Sequence, residues 1–182
     1  MVKILVIGSG AREHAIIKSL NRSKKEKEIY CLASNNNPGI SDICKEIKII
    51  DINDAQLIKD YSIKQSINIA IIGPENPLAF GVSDSLWEAG VGVIGPKKNL
   101  AQIETSKSFT RNLLKEYKIP GCPKFKTFTN MEGVEEFLSL LGENYVVKYD
   151  GLAGGKGVKV AGDHLHNHEE ALSYCKKLIE NG

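Results

Sequence analysis

The chain has 182 residues, 42% of them hydrophobic and 25% charged, with a formal net charge of +2. That is room for one domain, or two small ones, around a real core. A charge so near neutrality sets up no field that would recruit nucleic acid or a membrane surface, so neither is expected as a partner.

The apolar run Val2–Ile7 reads as a buried strand, and residues 12–20 as a helix with Ile16, Ile17 and Leu20 on one side. The loop between them, in GSGAREHA, opens like the dinucleotide fingerprint G-x-G-x-x-G and then departs from it. Glu13 stands where the third glycine belongs. Gly8 and Gly10 still let backbone N–H groups approach an anion at a helix N-terminus, and Arg12 adds a bidentate phosphate or carboxylate contact. A tight turn with a solvated Arg12–Glu13 pair is the alternative, and His14 reads as a packing or surface histidine rather than a catalyst. The basic run at 22–28 is interrupted by acids and reads as a solvated turn.

A second strand, 29–33, ends in Ala33-Ser34-Asn35, without the acid that would hold a dinucleotide ribose. A turn cluster, Asn-Asn-Asn-Pro-Gly, follows. Then come a strand at 46–50, a helix from an Asp54 N-cap through Lys64, a strand at 67–72, a helix at 78–89 and a strand at 91–94. Strands alternating with helices make an α/β, doubly wound parallel sheet, which takes its ligands beyond the carboxyl ends of its strands. Three glycine-led loops sit at such ends. They are the GSGARE loop, the loop Gly73-Pro74-Glu75-Asn76-Pro77-Leu78, and Gly95-Pro96-Lys97-Lys98. The prolines fix a sharp exit from the strand.

Residues 99–117 read as a helix leaving the sheet, ended by Ile119-Pro120-Gly121. The expected organisation is a Rossmann-like domain at 1–97, a linker helix at 98–120 and a small, incomplete α+β lobe at 121–182. In the lobe, a strand at 124–128 and a helix at 132–141 precede two strands, 145–150 and 158–161. These two are joined by Gly151-Leu152-Ala153-Gly154-Gly155-Lys156-Gly157, which makes a hairpin flap. It is not a Walker A loop: Lys156 is followed by Gly157 and a strand, not by a hydroxyl and a helix. Its surplus of glycine suggests a flexible cover whose N–H groups close on phosphates. Lys148 and Lys156 bracket it. A lysine a few ångströms from a phosphate oxygen gains roughly 4 kcal/mol at an effective dielectric near 20, before desolvation. A mobile hairpin with solvated lysines is the other reading.

The four cysteines, Cys31, Cys44, Cys122 and Cys175, have no C-x-x-C spacing, which fits a reducing, cytoplasmic setting and excludes a zinc ribbon. The histidines of DHLHNH, His164, His166 and His168, have alternate spacing but read as a solvated strand-to-helix connection, not a metal site. The following helix is capped by Asn167, with Glu170 in capping-box position.

The segments GSGAREHA, GPENPL, GPKKNLAQIETSK and VVKYDGLAGGKGV, in this order and spacing, resemble the phosphoribosylamine–glycine ligases of the ATP-grasp superfamily. The resemblance covers essentially the whole chain; the family usually has a glycine where Ala11 stands. It implies that ATP phosphorylates the carboxylate of glycine, and that the amine of 5-phosphoribosylamine attacks the acyl phosphate to give glycinamide ribonucleotide, ADP and phosphate in de novo purine synthesis. Glycine, 5-phosphoribosylamine and ATP are then the small-molecule partners. By resemblance, Lys107, at the end of the helical segment ETSK, and Lys148 meet ATP phosphates, and Gly151, Leu152, Ala153, Gly154, Gly155, Lys156 and Gly157 cover them. Gly8, Gly10, Arg12, Glu13, Gly73, Pro74 and Glu75 face the phosphoribosylamine. The family's Mg2+ or Mn2+ ligands come from a later lobe, so no metal ligand is expected before residue 182, and the chain reads as an amino-terminal piece, inactive alone. Other ATP-grasp ligases, a non-catalytic nucleotide-binding module and, less favoured, a nicotinamide oxidoreductase remain alternatives.

Overall fold

Ile4 and Val6 point to one side of their strand and Leu5 and Ile7 to the other, and all four are buried. A strand with four successive buried apolar residues belongs inside a sheet covered on both faces. In the computed structural model, which describes residues 1–181, that strand is β1 (Val2–Ile7), at the centre of a five-stranded sheet. It is followed by α1 (Ala11–Asn21), β2 (Lys27–Ala33), α2 (Pro38–Ser41), β3 (Glu46–Ile49), α3 (Ala55–Gln65) and β4 (Ile69–Ile72). Then come α4 (Glu75–Ala79), α5 (Val82–Glu88), β5 (Gly92–Ile94) and α6 (Lys98–Thr105). The strand order is β3-β2-β1-β4-β5, all parallel.

The period-two alternation divides the core in two. Leu5, Ile7, Tyr30, Leu32, Ala70 and Ile72 pack under α3 and α5 through Ile58, Val82 and Leu86. Ile4, Val6, Ile29, Cys31, Ala33 and Ile71 pack against Ile17 of α1 and Ile40 of α2. Each fully buried side chain of this kind stabilises the fold by about 1.5–3 kcal/mol before entropy is subtracted. Because the chain runs outward from β1 in both directions, the carboxyl ends of β1 and β4 form the switch point where a crevice opens.

Two compact units result, one spanning Met1–Thr105 and the other beginning at Ser106. The second contains α7 (Lys107–Glu116), α8 (Val134–Leu141), the antiparallel pair β6 (Val146–Lys148) and β7 (Val158–Val160), and α9 (His168–Asn181). Its core is Val134, Leu138, Tyr145, Leu165 and Ala171.

Several elements differ from the sequence reading for local reasons. The helix expected over 78–89 starts earlier, at Glu75, and is broken at Gly81, whose φ of 81° no helix interior accepts. The helix expected over 99–117 is two helices: Ser106 is extended and accepts from the Phe109 N–H at 3.1 Å, which starts α7 afresh. The division between units falls there, inside the stretch read as a linker at 98–120. Residues 124–128 are not a strand, because no strand among the described residues pairs with them. Their apolar residue Phe128 instead packs on Phe137 of α8, ring centroids 6.0 Å apart. The turn cluster at Asn35-Asn36-Asn37 leads into a helical turn, α2, whose Asn37 cap sequence reading passed over. Among the described residues no helix is long and apolar enough to cross a membrane.

Ser66 ends α3 in the left-handed region, φ 56° and ψ 49°, where a side chain is strained. Replacing it with glycine is expected to raise stability by about 0.5–1 kcal/mol, read as a higher urea midpoint at unchanged slope. A lower midpoint would show that the hydroxyl contributes more than the strain removes.

Candidate functional site

α1 begins with Gly10 as its N-cap, a residue with no side chain to satisfy the first amides. The acceptor comes from the third helical position: Glu13 Oε2 takes the Gly10 N–H at 2.7 Å, which is half of a capping box. Glu13 is thereby folded back into the crevice between β1 and β4 and is only 4% exposed. Its neighbours are glycine because nothing larger fits. A Cβ on Gly8 would lie 2.8 Å from Glu13 Cγ, one on Gly10 2.9 Å from Glu13 Oε2, and one on Gly73 would overlap the carboxylate. The glycines of this rim are therefore packed against a carboxylate. In a dinucleotide fold the same backbone approaches a pyrophosphate. Glu13 Oε1, buried in the same crevice, has no hydrogen-bond partner among the described residues.

Two further contacts fix the loop. Asn37 donates from Nδ2 to the Ser9 carbonyl at 2.9 Å, and the buried Cys31 thiol donates to the Gly8 carbonyl at 3.3 Å. Burial foremost pushes that thiol's pKa up to about 12, so it stays protonated. The His14 ring packs against Gly39 of α2, where a Cβ would collide with it. Across the rim, Pro74 leads into α4, and Glu75 in its first turn meets Arg12 at 3.2 Å. That pair is 70% and 40% exposed, so it contributes about 0–1 kcal/mol and both groups remain available to a ligand. Glu75's own backbone N–H and the Arg12 guanidinium hold its carboxyl below the usual range. The seven residues Gly8, Gly10, Arg12, Glu13, Gly73, Pro74 and Glu75 thus meet at one rim, with Glu13 at its base.

In the second unit the glycine loop is a hairpin whose turns are explicit. Lys148 pairs with Val158, and the Tyr149 N–H donates to the Gly157 carbonyl at 2.7 Å, which closes the loop's base. At the tip, the Lys156 N–H donates to the Ala153 carbonyl at 2.9 Å across Gly154 and Gly155. Both have positive φ, 54° and 80°, as a mirror-image turn demands. Gly157 is small for a different reason: a Cβ there would lie 2.9 Å from those of Ala153 and Tyr149. The glycine surplus is accounted for by turn geometry and close approach. Lys156 stands exposed beside the tip, and Lys148 is exposed on the face of β6 opposite Val147, which packs on the core.

Lys107 does not end a helix, as the sequence suggested; it opens α7, because Ser106 interrupts the run. Its ammonium donates to the Gly151 carbonyl at 2.7 Å. Beside it lies a residue that sequence reasoning missed. Asp150, immediately before the loop, accepts from the Lys107 N–H at 2.6 Å, the Ser108 N–H at 3.1 Å, the Ser108 hydroxyl, and the Ser106 hydroxyl at 3.3 Å. No local signal could have found it, since its partners are more than forty residues away. The three histidines do not converge. His164 Nδ1 accepts from the Val160 N–H at 3.4 Å, while His168 sits edge-on to Tyr145 and meets the Gly142 carbonyl at 3.1 Å. Glu170, expected to cap Asn167 in return, accepts from the His166 N–H instead. Among the described residues no three acids, histidines or cysteines come together to hold a metal ion.

Residues 2–104 match the family model described as phosphoribosylglycinamide synthetase, N domain, and residues 105–182 match that family's ATP-grasp (A) domain. The chain belongs to the phosphoribosylglycinamide synthetase family. It is 43% identical over 181 residues to the phosphoribosylamine–glycine ligase of Methanosarcina barkeri, covering all of this chain and 42% of that protein. It is 46% identical over 185 residues to the one of Methanocaldococcus jannaschii, covering all of this chain and 41% of that protein. The chain thus spans about two fifths of the length of the curated relatives it matches. Its fold is shared with the phosphoribosylglycinamide synthetase of Anaerococcus prevotii, at TM-score 0.59 and 15% identity over 94% of this chain and 40% of that one. It is also shared with an N5-carboxyaminoimidazole synthetase from Staphylococcus aureus complexed with ADP, at TM-score 0.76 and 18% identity over 100% of this chain and 45% of that one.

Two predictions follow from the loops. Gly73 has no positive φ, and the three atoms nearest a Cβ there all belong to Glu13, so Gly73→Ala is expected to destabilise by about 1–3 kcal/mol through that clash. In a Glu13→Ala background the same change should be nearly free, a coupling of about 1 kcal/mol or more in a double-mutant cycle read by urea unfolding. Additive losses would show that the glycine serves something else. The second concerns acid. Burial opposes ionisation of Asp150, but the Ser108 hydroxyl and the Ser108 and Lys107 amides outweigh it and hold its pKa below the ordinary 3.8. A depressed folded pKa adds stability that is complete above the unfolded value and is lost as pH falls through the folded one. The stability difference between the protein and Asp150→Asn should therefore be constant from about pH 7 to 5 and close as acid carries the pH below the ordinary 3.8 and protonates the folded carboxyl. A difference that persists in strong acid would rule the linkage out.

Proposed function

We propose that the chain supplies the phosphosugar and phosphate-covering parts of an ATP-dependent ligase that joins the amino acid glycine to 5-phosphoribosylamine. The observation that carries this reading is the match of both halves, in order, to the two domains of one ligase family. ATP transfers its terminal phosphoryl group to the glycine carboxylate, releasing ADP. The amine nitrogen then attacks the acyl carbon, phosphate leaves with the C–O bond electrons, and the nitrogen sheds a proton. No nucleophilic side chain is needed; the protein positions groups and balances charge.

Three rim side chains have a part in this proposal. Arg12 turns from Glu75 to an anionic group of the phosphosugar. Glu75 and the unpartnered Oε1 of Glu13 accept from its hydroxyl or amine hydrogens. On the second unit, Lys107, Lys148 and Lys156 neutralise ATP phosphates, and the amides of 151–157 cover them. The described residues do not fit the divalent ion the family implies, since no three acids, histidines or cysteines among them come together. In this proposal its ligands lie in the part of the relatives that this chain does not span. The setting is the cytoplasm, where the free cysteines stay reduced.

The test is an assay of the full-length protein with ATP and phosphoribosylamine, offering glycine, formate or bicarbonate. Glycine alone should elicit ADP and an amide product. Glu75→Gln should raise KM for phosphoribosylamine about tenfold, the loss of one charged hydrogen bond, and leave KM for ATP within about twofold. ADP release with formate or bicarbonate but not glycine would assign the chain to a different ligase.

A further inference from the structure

A single carboxylate fastens the glycine loop at its entry. Asp150 is the last residue before Gly151, and the donors it collects, two amides and two hydroxyls, all come from the first turn of α7 and its cap. α7 thus has two caps: Ser106 on the Phe109 amide, and a carboxylate from a remote strand end on the Lys107 and Ser108 amides. A negative charge at a helix N-terminus is favoured by the macrodipole as well as by the hydrogen bonds. The side chain of the residue so held, Lys107, reaches the carbonyl of Gly151, one residue beyond Asp150. The loop's exit is fixed separately by the bond from Tyr149 to Gly157. The tip, Ala153 to Lys156, is held by its own turn bond rather than by α7, and a Cβ on Gly154 or Gly155 would meet nothing within 4 Å.

We propose that Asp150 is a positioning residue for the phosphate-covering loop: it locks the loop's entry to α7 and so aims the Lys107 ammonium. The proposal rests on reading 151–157 as the cover over ATP. The Asp150 carboxylate is taken up by Ser106, Lys107 and Ser108, and acts through Lys107 and the loop. Its charge keeps Gly151 and Lys107 in register, so that Lys107 exchanges one acceptor, the Gly151 carbonyl, for another, a phosphate oxygen, without movement of α7. The loop then closes by motion of its tip about a fixed base, and the ordering entropy left for the nucleotide to overcome is that of a few residues.

Hydrogen exchange on the full-length protein without nucleotide tests the lock directly. In Asp150→Asn the amides of 151–157 should exchange about tenfold faster, with β6, β7 and α8 unchanged, as expected when charge-assisted hydrogen bonds at one point are weakened. KM for ATP should rise about tenfold while kcat changes by less than about threefold, and Asp150→Glu, which restores the charge, should recover part of both. Should Asp150→Asn fail to fold, Ser108→Ala removes one donor and should accelerate the same amides about threefold. Unchanged loop exchange, or acceleration spread evenly over the unit, would overturn the proposal and leave Asp150 as an ordinary helix cap. The exchange arm needs no nucleotide. A protein that does not bind ATP therefore defeats the functional reading alone, while the lock stands or falls on its own result.

Discussion

The buried carboxylate of Glu13 is the constraint around which the first unit's rim is built. A doubly wound sheet leaves one crevice at its switch point, and the helix that follows β1 offers its free amides there. In dinucleotide-binding relatives of this architecture those amides meet a pyrophosphate. Here the protein's own side chain takes the Gly10 amide and fills the space that Gly8 and Gly73 leave open. A second negative group at that spot would face Glu13 at close range, so the crevice favours a hydrogen-bond donor at its base. In the proposed function anion recognition falls to Arg12, which is exposed and pairs with Glu75.

The second unit repeats the device with different parts. There a carboxylate takes the amides of Lys107 and Ser108, as Glu13 takes that of Gly10, and in each case a cation lies in the helix's first turn, Lys107 at α7 and Arg12 at α1. At α7 the first three amides are thus taken, by Asp150 and Ser106, whereas at α1 Glu13 takes that of Gly10. Both glycine loops are ordered before any ligand arrives, one by packing around Glu13, the other by Asp150 at its entry and Gly157 at its exit. Pre-ordering of this kind lowers the entropy a ligand must overcome on binding.

What the sequence reveals and conceals follows from range. The alternation of β1, β2 and β4 is local and two-sided, so the parallel sheet and its buried strands can be read directly. The departure of Glu13 from the glycine fingerprint is equally visible, but its consequence is not. Whether a glutamate at the third helical position points to solvent or folds back depends on Gly73, sixty residues away in the chain. Asp150 was invisible for the same reason. The breaks at Gly81 and Ser106 were local and still missed, because each lies inside an apolar pattern that continues on both sides. Periodicity reports which residues face a core. It does not report a single residue whose backbone leaves the helical region.

The glycines of the hairpin carry the same lesson into energetics. Four glycines in a short loop would be a poor choice if flexibility were the only gain, since each gives up more backbone entropy on ordering than any other residue. The structure gives each a reason to be present. Gly154 and Gly155 take backbone angles that side chains resist, Gly157 lies against Ala153 and Tyr149, and Gly151 lies against the ring of Tyr149. A loop so specified is packed at its base and has open space around Gly154 and Gly155 at its tip. In the proposed function that division suits a cover over a triphosphate: the anchored ends hold Lys107 and Lys148 toward the phosphates, and the turn carrying Lys156 closes over them.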